Sequence, residues 1–154
     1  MSSQQYLTNE KLQEFKKELD FLKTEKRKQV AENLEYAKKL GDLSENAEYH
    51  EARQSQAEIE DRINHLENLI KNAVIVSEQT GDMVNIGSKI KIQKDGEKDI
   101  RNYSIVGSEE SDMNLGKISN LSPLGSALIG KKKGDTVSII TPKGKINYKL
   151  ISLE

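Results

Sequence analysis

The feature that most constrains the fold is a pair of long amphipathic repeats on either side of one short polar segment. Before this segment, apolar residues recur at Leu12, Phe15, Leu19 and Leu22, and then at Val30, Leu34, Ala37 and Leu40. After it, the repeat continues at Ala52, Gln56, Ile59, Ile63, Leu66 and Ile70. Steps of three and four residues place side chains on one face of a helix. The sequence therefore predicts two helices that pack antiparallel along a shared seam.

The polar segment between the two predicted helices carries two acids. Thr8 or Asn9 offers an N-cap for the first helix, and Gly41 is suited to its C-terminal cap. About five residues then reverse the chain, which places Asp42 and Glu45 at the end of a helical hairpin. At about 1.5 Å of rise per residue, the first helix carries these acids on the order of 45 to 50 Å from its base.

The apolar repeat of the first helix weakens from Lys26 to Lys28 and resumes at Val30. A weak stretch inside one helix indicates a change in the register of its apolar face. We therefore expect a register shift near these lysines.

After residue 72 the pattern changes from helical to β-like. Strand-like runs cover 73–76, 88–92, 103–106, 135–141 and 145–152, the last two joined through 142–144 in a hairpin. Ser122-Pro123 before 124–129, followed by Gly130, predicts a short helix. The chain is thus predicted to be an α+β protein, with an antiparallel helical coiled-coil hairpin over 1–76 and an antiparallel β-sheet domain with one short helix over 77–154.

Composition limits the classes of function. Residues 1–78 carry 12 basic against 16 acidic side chains, and residues 79–154 carry 12 against 9. Neither balance indicates by itself the dense basic face of a duplex-binding protein. The chain has no Cys, which excludes disulfides and thiolate chemistry. No run approaches the roughly 20 apolar residues of a membrane span or resembles a signal peptide, so we expect a cytoplasmic protein without a membrane segment.

Asp42 and Glu45 form a candidate half of a metal site. Mg²⁺ is commonly held by one or two carboxylates, with waters and phosphate oxygens completing its shell. An exposed pair alone would bind Mg²⁺ weakly, so further ligands would have to come from elsewhere. A structural alternative stays open, in which residues 42–45 form a capping box or Ser44 caps the second helix. His50 and His65 stand in no metal-binding motif, which argues against a di-iron or zinc hydrolase.

Two sequence clusters stand out along the chain. The first is the run GDLSENAEY over 41–49; the second is Ile118-Ser119, Ser122-Pro123 and the run ALIGK over 127–131. Together they resemble the signatures of the Gre-type transcript cleavage factors, and within them the GreA-like branch. The resemblance covers nearly the whole chain. It implies an N-terminal antiparallel coiled coil followed by a domain of FKBP-like fold, although such a fold does not imply isomerase activity.

The resemblance also implies a function. Members bind RNA polymerase, enter its secondary channel and stimulate endonucleolytic cleavage of backtracked RNA, so the chain would be an accessory factor and not an enzyme. Asp42 and Glu45 match the family's catalytic acids and would hold an Mg²⁺ that is shared with the polymerase active site and is not bound stably by the factor alone. The nascent RNA 3′ end would be the second partner.

Five further residues match positions to which the family assigns roles. Lys38 and Arg53 would form a basic patch facing the RNA, although ordinary solvated charge is the alternative. Ser119, Ser122 and Pro123 would dock on the polymerase at the channel rim, although Ser122 and Pro123 serve equally well as a helix start.

Four features carry structural expectations. Tyr36 and Tyr49 are expected to pack between the helices, and the lysines of 131–133 are expected to form a solvated turn. Lys28 stands where many family members have proline, which predicts a straighter first helix. We expect a monomer, because the hairpin satisfies its own seam. Two alternative functions stay open: a channel regulator that does not promote cleavage, and a coiled-coil interaction module.

Overall fold

The computed structural model describes residues 4–42, 45–77 and 81–154. It contains two compact units, which we call the helical hairpin (Glu10–Asn72) and the sheet unit (Met1–Asn9 with Ala73–Glu154). The predicted division into 1–76 and 77–154 differs from these units at both ends of the hairpin. The reason is that a short N-terminal strand pairs with the strand that follows the hairpin.

The helical hairpin is almost entirely helical. Its elements are α1 (Asn9–Phe21), a π-helical turn (Leu22–Lys26), α2 (Arg27–Lys38) and α3 (Ala47–Lys71). The first three form one continuous helix, which at about 1.5 Å per residue is about 45 Å long. Among the described residues, no helix is both long and apolar enough to span a membrane.

The π-helical turn explains the weak stretch in the apolar repeat. Leu22, Lys26, Val30 and Leu34 are each four residues apart, so three turns take twelve residues. A regular α-helix needs only about 11 residues for three turns. A π-helical turn takes up one extra residue and returns the apolar side chains to the seam. The predicted register shift is confirmed, and it begins at Leu22.

The seam of the hairpin is apolar along its centre and ionic along its margins. Its buried side chains are Phe15, Val30 and Ala37 from the first helix and Ala52, Ile63, Leu66 and Leu69 from α3. Arg62 donates two hydrogen bonds to the Glu18 carboxylate, at 2.7 and 3.0 Å, and Arg27 donates two to Glu60, at 2.7 and 2.8 Å. Leu40, which was predicted to belong to the seam, is 52% exposed because it lies beyond the end of α2.

The sheet unit contains seven strands and one short α-helix among its described residues. They are β1 (Gln5–Leu7), β2 (Ala73–Ile75), β3 (Lys89–Lys94), β4 (Ile100–Val106), β5 (Lys117–Ser119), α4 (Pro123–Leu128), β6 (Thr136–Thr141) and β7 (Gly144–Leu153). The main sheet has the strand order β5-β4-β3-β7-β6. The predicted α+β architecture with one short helix is therefore confirmed.

The strand pairing is mostly antiparallel. In the main sheet β3 pairs antiparallel with β4 and β7, and β6 pairs antiparallel with β7. The expectation of a wholly antiparallel sheet needs one correction, because β5 pairs parallel to β4 and β1 pairs parallel to β2. Neither β1 nor β5 was predicted, since each is only three residues long.

One face of the main sheet forms the core of this unit. Buried and exposed residues alternate along β3, as expected for a strand with one covered face. The buried core residues are Val84, Ile90, Ile92, Ile105, Ile118, Leu128, Val137, Tyr148 and Leu150. The other face of β3 and β7 carries polar side chains, including exposed lysines.

The N-terminal segment is held on the sheet unit by a glycine and a buried acid. A Cβ atom on Gly107 would lie 2.0 Å from the Tyr6 carbonyl oxygen, so only glycine allows this close approach. The Glu110 carboxylate accepts hydrogen bonds from the Thr8 amide, at 3.1 Å, and from its hydroxyl, at 2.7 Å. The Glu110 side chain is only 5% exposed, and the Lys117 ammonium lies 3.9 Å from it.

Candidate functional site

The hairpin end, which we define as residues 36–42 and 45–53, includes the last residues of α2, which ends at Lys38. The amides of Lys39 and Leu40 donate hydrogen bonds to the carbonyls of Tyr36 and Ala37, each at 3.1 Å. Gly41 then adopts a φ of +130°, a conformation that L side chains rarely adopt. Nothing lies within 4 Å of a Cβ built on Gly41, so its backbone conformation alone favours glycine. Asp42 follows this turn directly.

Asn46 closes the hairpin end. Its side-chain oxygen accepts a hydrogen bond from the Tyr49 amide at 3.1 Å, which makes Asn46 the N-cap of α3. Its side-chain nitrogen donates to the Ala37 carbonyl at 2.6 Å, on the opposite helix. One amide therefore caps α3 and ties it to α2. This role of Asn46 was not predicted from the sequence. A signal was present, because Glu48 is an acid suited to the first turn of a helix and Asn46 lies two residues before it.

The two acids do not act as the N-cap of α3. The structural alternative, a capping box over 42–45 or a cap at Ser44, falls on Leu43 and Ser44, which lie outside the described residues. Asp42 and Glu45 are both exposed, and within the described part of the chain no hydrogen bond or ion pair involves the Glu45 carboxylate. Helix capping therefore does not account for the presence of the acid at Glu45.

The donor set at the hairpin end fits part of a magnesium site. Two exposed carboxylates supply the hard oxygen ligands that Mg²⁺ prefers. Across residues 4–42, 45–77 and 81–154, no cluster of three or more His, Cys, Asp or Glu side chains could hold a metal ion. Asp42 and Glu45 alone would fill only part of the shell of a bound Mg²⁺. Their metal-binding role stays a prediction.

The two sides of the hairpin end differ in charge. Lys38 directly follows the buried Ala37, and Arg53 directly follows the buried Ala52. In two antiparallel right-handed helices, residues one step after facing seam positions lie on the same side of the pair. Both cations are exposed, and Arg53 donates a hydrogen bond to Gln56 at 2.9 Å. This geometry is compatible with the predicted basic patch, whose contact with RNA stays a prediction.

The opposite side of the hairpin end carries Tyr36. Its side chain is 62% exposed, so the prediction that it packs between the helices is wrong. Tyr36 precedes the seam residue Ala37 and therefore points away from the seam. Tyr49 is half-buried, and its ring lies edge-on to that of His50 with centroids 5.7 Å apart. A shallow groove on this side is lined by Val30, Asn33, Tyr36, Glu48, Glu51, Ala52 and Ser55.

In the sheet unit, Ser119, Ser122 and Pro123 build the start of α4. The Ser119 carbonyl accepts hydrogen bonds from the Ser122 amide, at 3.1 Å, and from its hydroxyl, at 2.7 Å. The Ser122 hydroxyl oxygen accepts from the Gly125 amide at 3.0 Å, and Pro123 is the first helical residue. A Cβ atom on Gly125 would lie 2.0 Å from the Ser119 carbonyl oxygen. The predicted helix start is confirmed, whereas the docking role of these three residues stays a prediction.

The same three residues lie on an open apolar cleft of about 510 Å³. Its apolar lining includes Met113, Ile118, Leu124, Ile139, Ile140 and Pro142. Met113 is 64% exposed and Ile140 is 86% exposed. Large apolar side chains that stay exposed around a cleft are typical of a surface that contacts another protein.

The lysines of 131–133, which were predicted to form a solvated turn, are exposed and lie shortly before β6.

The fold defines a two-unit protein, in which a helical hairpin with exposed acids at its end and a small mixed-sheet unit belong to one chain. Two family models match the chain: "Transcription elongation factor, N-terminal" over residues 5–75, and "Transcription elongation factor, GreA/GreB, C-term" over residues 78–154. The chain belongs to the GreA/GreB family of transcription elongation factors.

Individual relatives agree with this assignment. The chain is 48% identical to transcription elongation factor GreA of Clostridium beijerinckii, with 99% of this chain and 96% of that protein covered. It is 45% identical to GreA of Thermoanaerobacter pseudethanolicus, with 99% of each chain covered. Among solved structures, it is similar to GreA factor homolog 1 of Thermus thermophilus at 27% identity, with 99% of each chain covered and a TM-score of 0.45. A TM-score this low adds nothing to the family assignment.

Proposed function

We propose that this elongation factor binds RNA polymerase, inserts its hairpin end into the secondary channel and stimulates the polymerase to cleave backtracked RNA. The observation that carries the proposal is the pair of exposed acids, Asp42 and Glu45, next to a helix whose N-cap is a different residue, Asn46. Glu45 is exposed, and no described residue pairs with its carboxylate, so this acid can reach a partner's active site. Membership of the GreA/GreB family supports the same function.

In this proposal the chain contributes ligands and orientation. Asp42 and Glu45 would hold one Mg²⁺ together with groups of the polymerase, and would orient the water that attacks the RNA. When bound, the metal supplies an activated water and stabilises charge on the attacking and leaving oxygens. Asn46 acts as a positioning residue, because its hydrogen bond to the Ala37 carbonyl fixes the backbone next to Glu45.

Lys38 and Arg53 would act on the RNA and not on the metal. They lie on one side of the hairpin end, and a cation there attracts the phosphate backbone of an extruded RNA 3′ segment. Removing either cation should weaken binding of the RNA and leave the donor set for Mg²⁺ unchanged. The factor would be an accessory that is inactive without polymerase, because two carboxylates leave the metal shell incomplete.

The apolar cleft at Ser119, Ser122 and Pro123 would dock on the polymerase. Its exposed Met113 and Ile140 offer apolar area that a partner would bury. This division assigns binding to the sheet unit and chemistry to the hairpin end. The factor would work as a monomer where the polymerase works, in the cytoplasm.

The test is RNA cleavage in backtracked elongation complexes with Mg²⁺. The wild type should accelerate cleavage, and Asp42→Ala/Glu45→Ala should abolish the acceleration while still competing with the wild type for polymerase. Glu48→Ala/Glu51→Ala is the matched control, because it removes the same charge from the same hairpin end and should keep most of the activity.

Other results would contradict the proposal. If the wild type binds polymerase without accelerating cleavage, the chain is a channel regulator that does not promote cleavage. If replacing both acids by Asn leaves the function intact, the hairpin is an interaction module whose acids have no chemical role.

A further inference from the structure

Sulfur occurs in this chain only as methionine. The sequence has three Met and no Cys, so the chain holds no thiol that would react with an oxidant first. Met83 and Met113 lie within the described residues, and they are 46% and 64% exposed. The buried core of the sheet unit contains neither of them. An oxidant in solution can therefore reach both thioethers.

The two methionines differ in their surroundings. Met113 lines the open apolar cleft at the start of α4, as do Ile118 and Ile140. Among the described residues that line this cleft, Met113 is the only methionine. A chemical change at Met113 therefore alters the surface of the cleft, whereas the same change at Met83 leaves the cleft lining as it is.

A short turn holds Met113 at the cleft. It begins at Asp112, whose carboxylate accepts a hydrogen bond from the Asn114 amide at 2.9 Å. The amides of Asp112 and Lys117 each donate to the carbonyl of the other residue at 2.9 Å. The Gly116 amide donates to the Met113 carbonyl at 3.2 Å. Because these hydrogen bonds fix the backbone, a modified side chain at Met113 stays at the cleft.

We propose that Met113 is a site of reversible oxidation, and that methionine sulfoxide at this position weakens docking of the factor on RNA polymerase. This proposal rests on the proposed function, because docking is assigned there to the apolar cleft. It adds a chemical modification that controls whether the cleft can bind its partner.

The oxidant is a hydroperoxide, of which hydrogen peroxide is the simplest. The thioether sulfur of Met113 attacks one peroxide oxygen, so that an S–O bond forms and the O–O bond breaks. The proton of the attacked oxygen passes to the leaving hydroxide, which departs as water. Sulfur loses two electrons and the peroxide gains them. In the reverse reaction, two thiols of a methionine sulfoxide reductase supply two electrons and become a disulfide, and the oxygen leaves as water.

The sulfoxide changes the polarity of the cleft. Its oxygen is a hydrogen-bond acceptor on a side chain that was apolar. Two donors that line the cleft already have acceptors: the Ser122 hydroxyl donates to the Ser119 carbonyl at 2.7 Å, and the Lys117 ammonium lies 3.9 Å from the Glu110 carboxylate. A partner that covers the cleft would therefore bury an unsatisfied acceptor. Such a group should weaken binding at least about fivefold.

The experiment treats the full chain with hydrogen peroxide and removes the peroxide with catalase before polymerase is added. Peptide mass spectrometry locates the added oxygen, and competition with labelled, untreated factor measures docking on polymerase. We expect Met113 to be oxidised at least as fast as Met83, because it is more exposed. The treated wild type should dock at least about fivefold more weakly, and reduction by methionine sulfoxide reductases with a dithiol should restore docking.

Two variants assign the effect to one sulfur atom. Met113→Leu should keep its docking after treatment, whereas the matched control Met83→Leu should lose docking as the wild type does. Each protein is compared with its own untreated sample, so a difference between Met113→Leu and the wild type before treatment does not affect the result. Met1 is present in all three proteins. Circular dichroism checks that the treated proteins stay folded.

Three results would overturn the proposal: Met113 stays reduced under conditions that oxidise Met83, the treated wild type docks with unchanged affinity, or treated Met113→Leu loses as much docking as the treated wild type. Untreated Ile140→Thr separates this proposal from the docking assignment itself. If Ile140→Thr docks as tightly as the wild type, the cleft is not the docking surface and both are wrong. If Ile140→Thr docks poorly while the oxidised wild type docks normally, only the oxidation proposal is wrong.

Discussion

The helical hairpin and the sheet unit differ in which of their positions tolerate substitution. Along the hairpin, a repeated apolar seam is flanked by exposed ion pairs such as Arg27 with Glu60. Surface pairs of this kind contribute little each. In the sheet unit, two glycines lie so close to a carbonyl oxygen that no side chain fits, at Gly107 and Gly125. We therefore expect that substitutions along most of the hairpin surface change stability little. Substitutions at the hairpin end or in the sheet unit should change activity or stability more strongly.

The largest expected effect on stability is that of Gly107→Ala. The added methyl carbon would lie 2.0 Å from the Tyr6 carbonyl oxygen, and backbone atoms cannot yield as a flexible side chain can. We expect a loss of about 3 kcal/mol or more in the free energy of unfolding. Urea denaturation measures it. Gly81→Ala is the matched control, because nothing lies within 4 Å of its added carbon; an equal loss there would contradict the steric argument.

A smaller effect is expected at Asn46, whose side chain joins the two helices at the hairpin end. Asn46→Ala removes the N-cap of α3 and the bond to the Ala37 carbonyl, and should cost about 1 to 2 kcal/mol. Asn46→Asp keeps the capping oxygen and removes the donor to Ala37. If Asn46 positions the acids, Asn46→Asp should regain the cap's stability but still stimulate RNA cleavage by polymerase less than the wild type does. Full activity in Asn46→Asp would show that the bond to Ala37 does not position Glu45.

A third variant separates the two roles of the α4 start. Ser122→Ala removes the hydroxyl that caps Gly125 and should cost about 1 kcal/mol, measured by thermal unfolding. Ser122→Asn restores a capping side chain. If Ser122 also docks on polymerase, both variants should compete poorly for it, whereas recovery of competition in Ser122→Asn would assign Ser122 a structural role only.

The smallest expected effect is a pH dependence within the hairpin. The hydrogen bonds from Arg62 lower the pKa of Glu18 below its usual value of 4.5. A lowered pKa stabilises the folded state above the usual value, and this contribution is lost as the pH falls through the lowered one. Because the Glu18 side chain is 38% exposed, its contribution is at most about 0.5 kcal/mol after solvent screening.

Glu18→Gln tests this dependence. The variant should be slightly less stable than the wild type at pH 7, and the difference should shrink as the pH falls below 4.5 and through the lowered pKa of Glu18. Thermal unfolding over a series of pH values measures it. A difference that persists at low pH would show that packing of the side chain, and not its charge, is responsible.

The local elements of both units could be predicted from the sequence, because their signals are local. The helical seam, the hairpin of β6 and β7, and the helix start at Ser122 depend on residues close together in the chain. The strands β1 and β5 could not be predicted, since three residues carry little periodicity and their partners are distant. The approach of Gly107 to Tyr6 was hidden for the same reason.

The candidate site was predictable in part. The position of Asp42 and Glu45 at the hairpin end followed from the length of the two repeats. The cap at Asn46 had a local signal that was missed, whereas the exposure of Tyr36 did not follow, because it depends on how the last turn of α2 faces α3. If α2 ended one residue earlier or later, different side chains would point into the seam.

The central claim is that the acids of the hairpin end complete a metal site inside the polymerase. The most direct measurement is the Mg²⁺ dependence of RNA cleavage in backtracked complexes that are saturated with factor, comparing the wild type with Glu45→Gln and Asp42→Asn. Loss of a metal ligand should raise the Mg²⁺ concentration required for half-maximal cleavage by about 10- to 100-fold, with binding to polymerase unchanged. An unchanged Mg²⁺ requirement together with normal cleavage would contradict the claim.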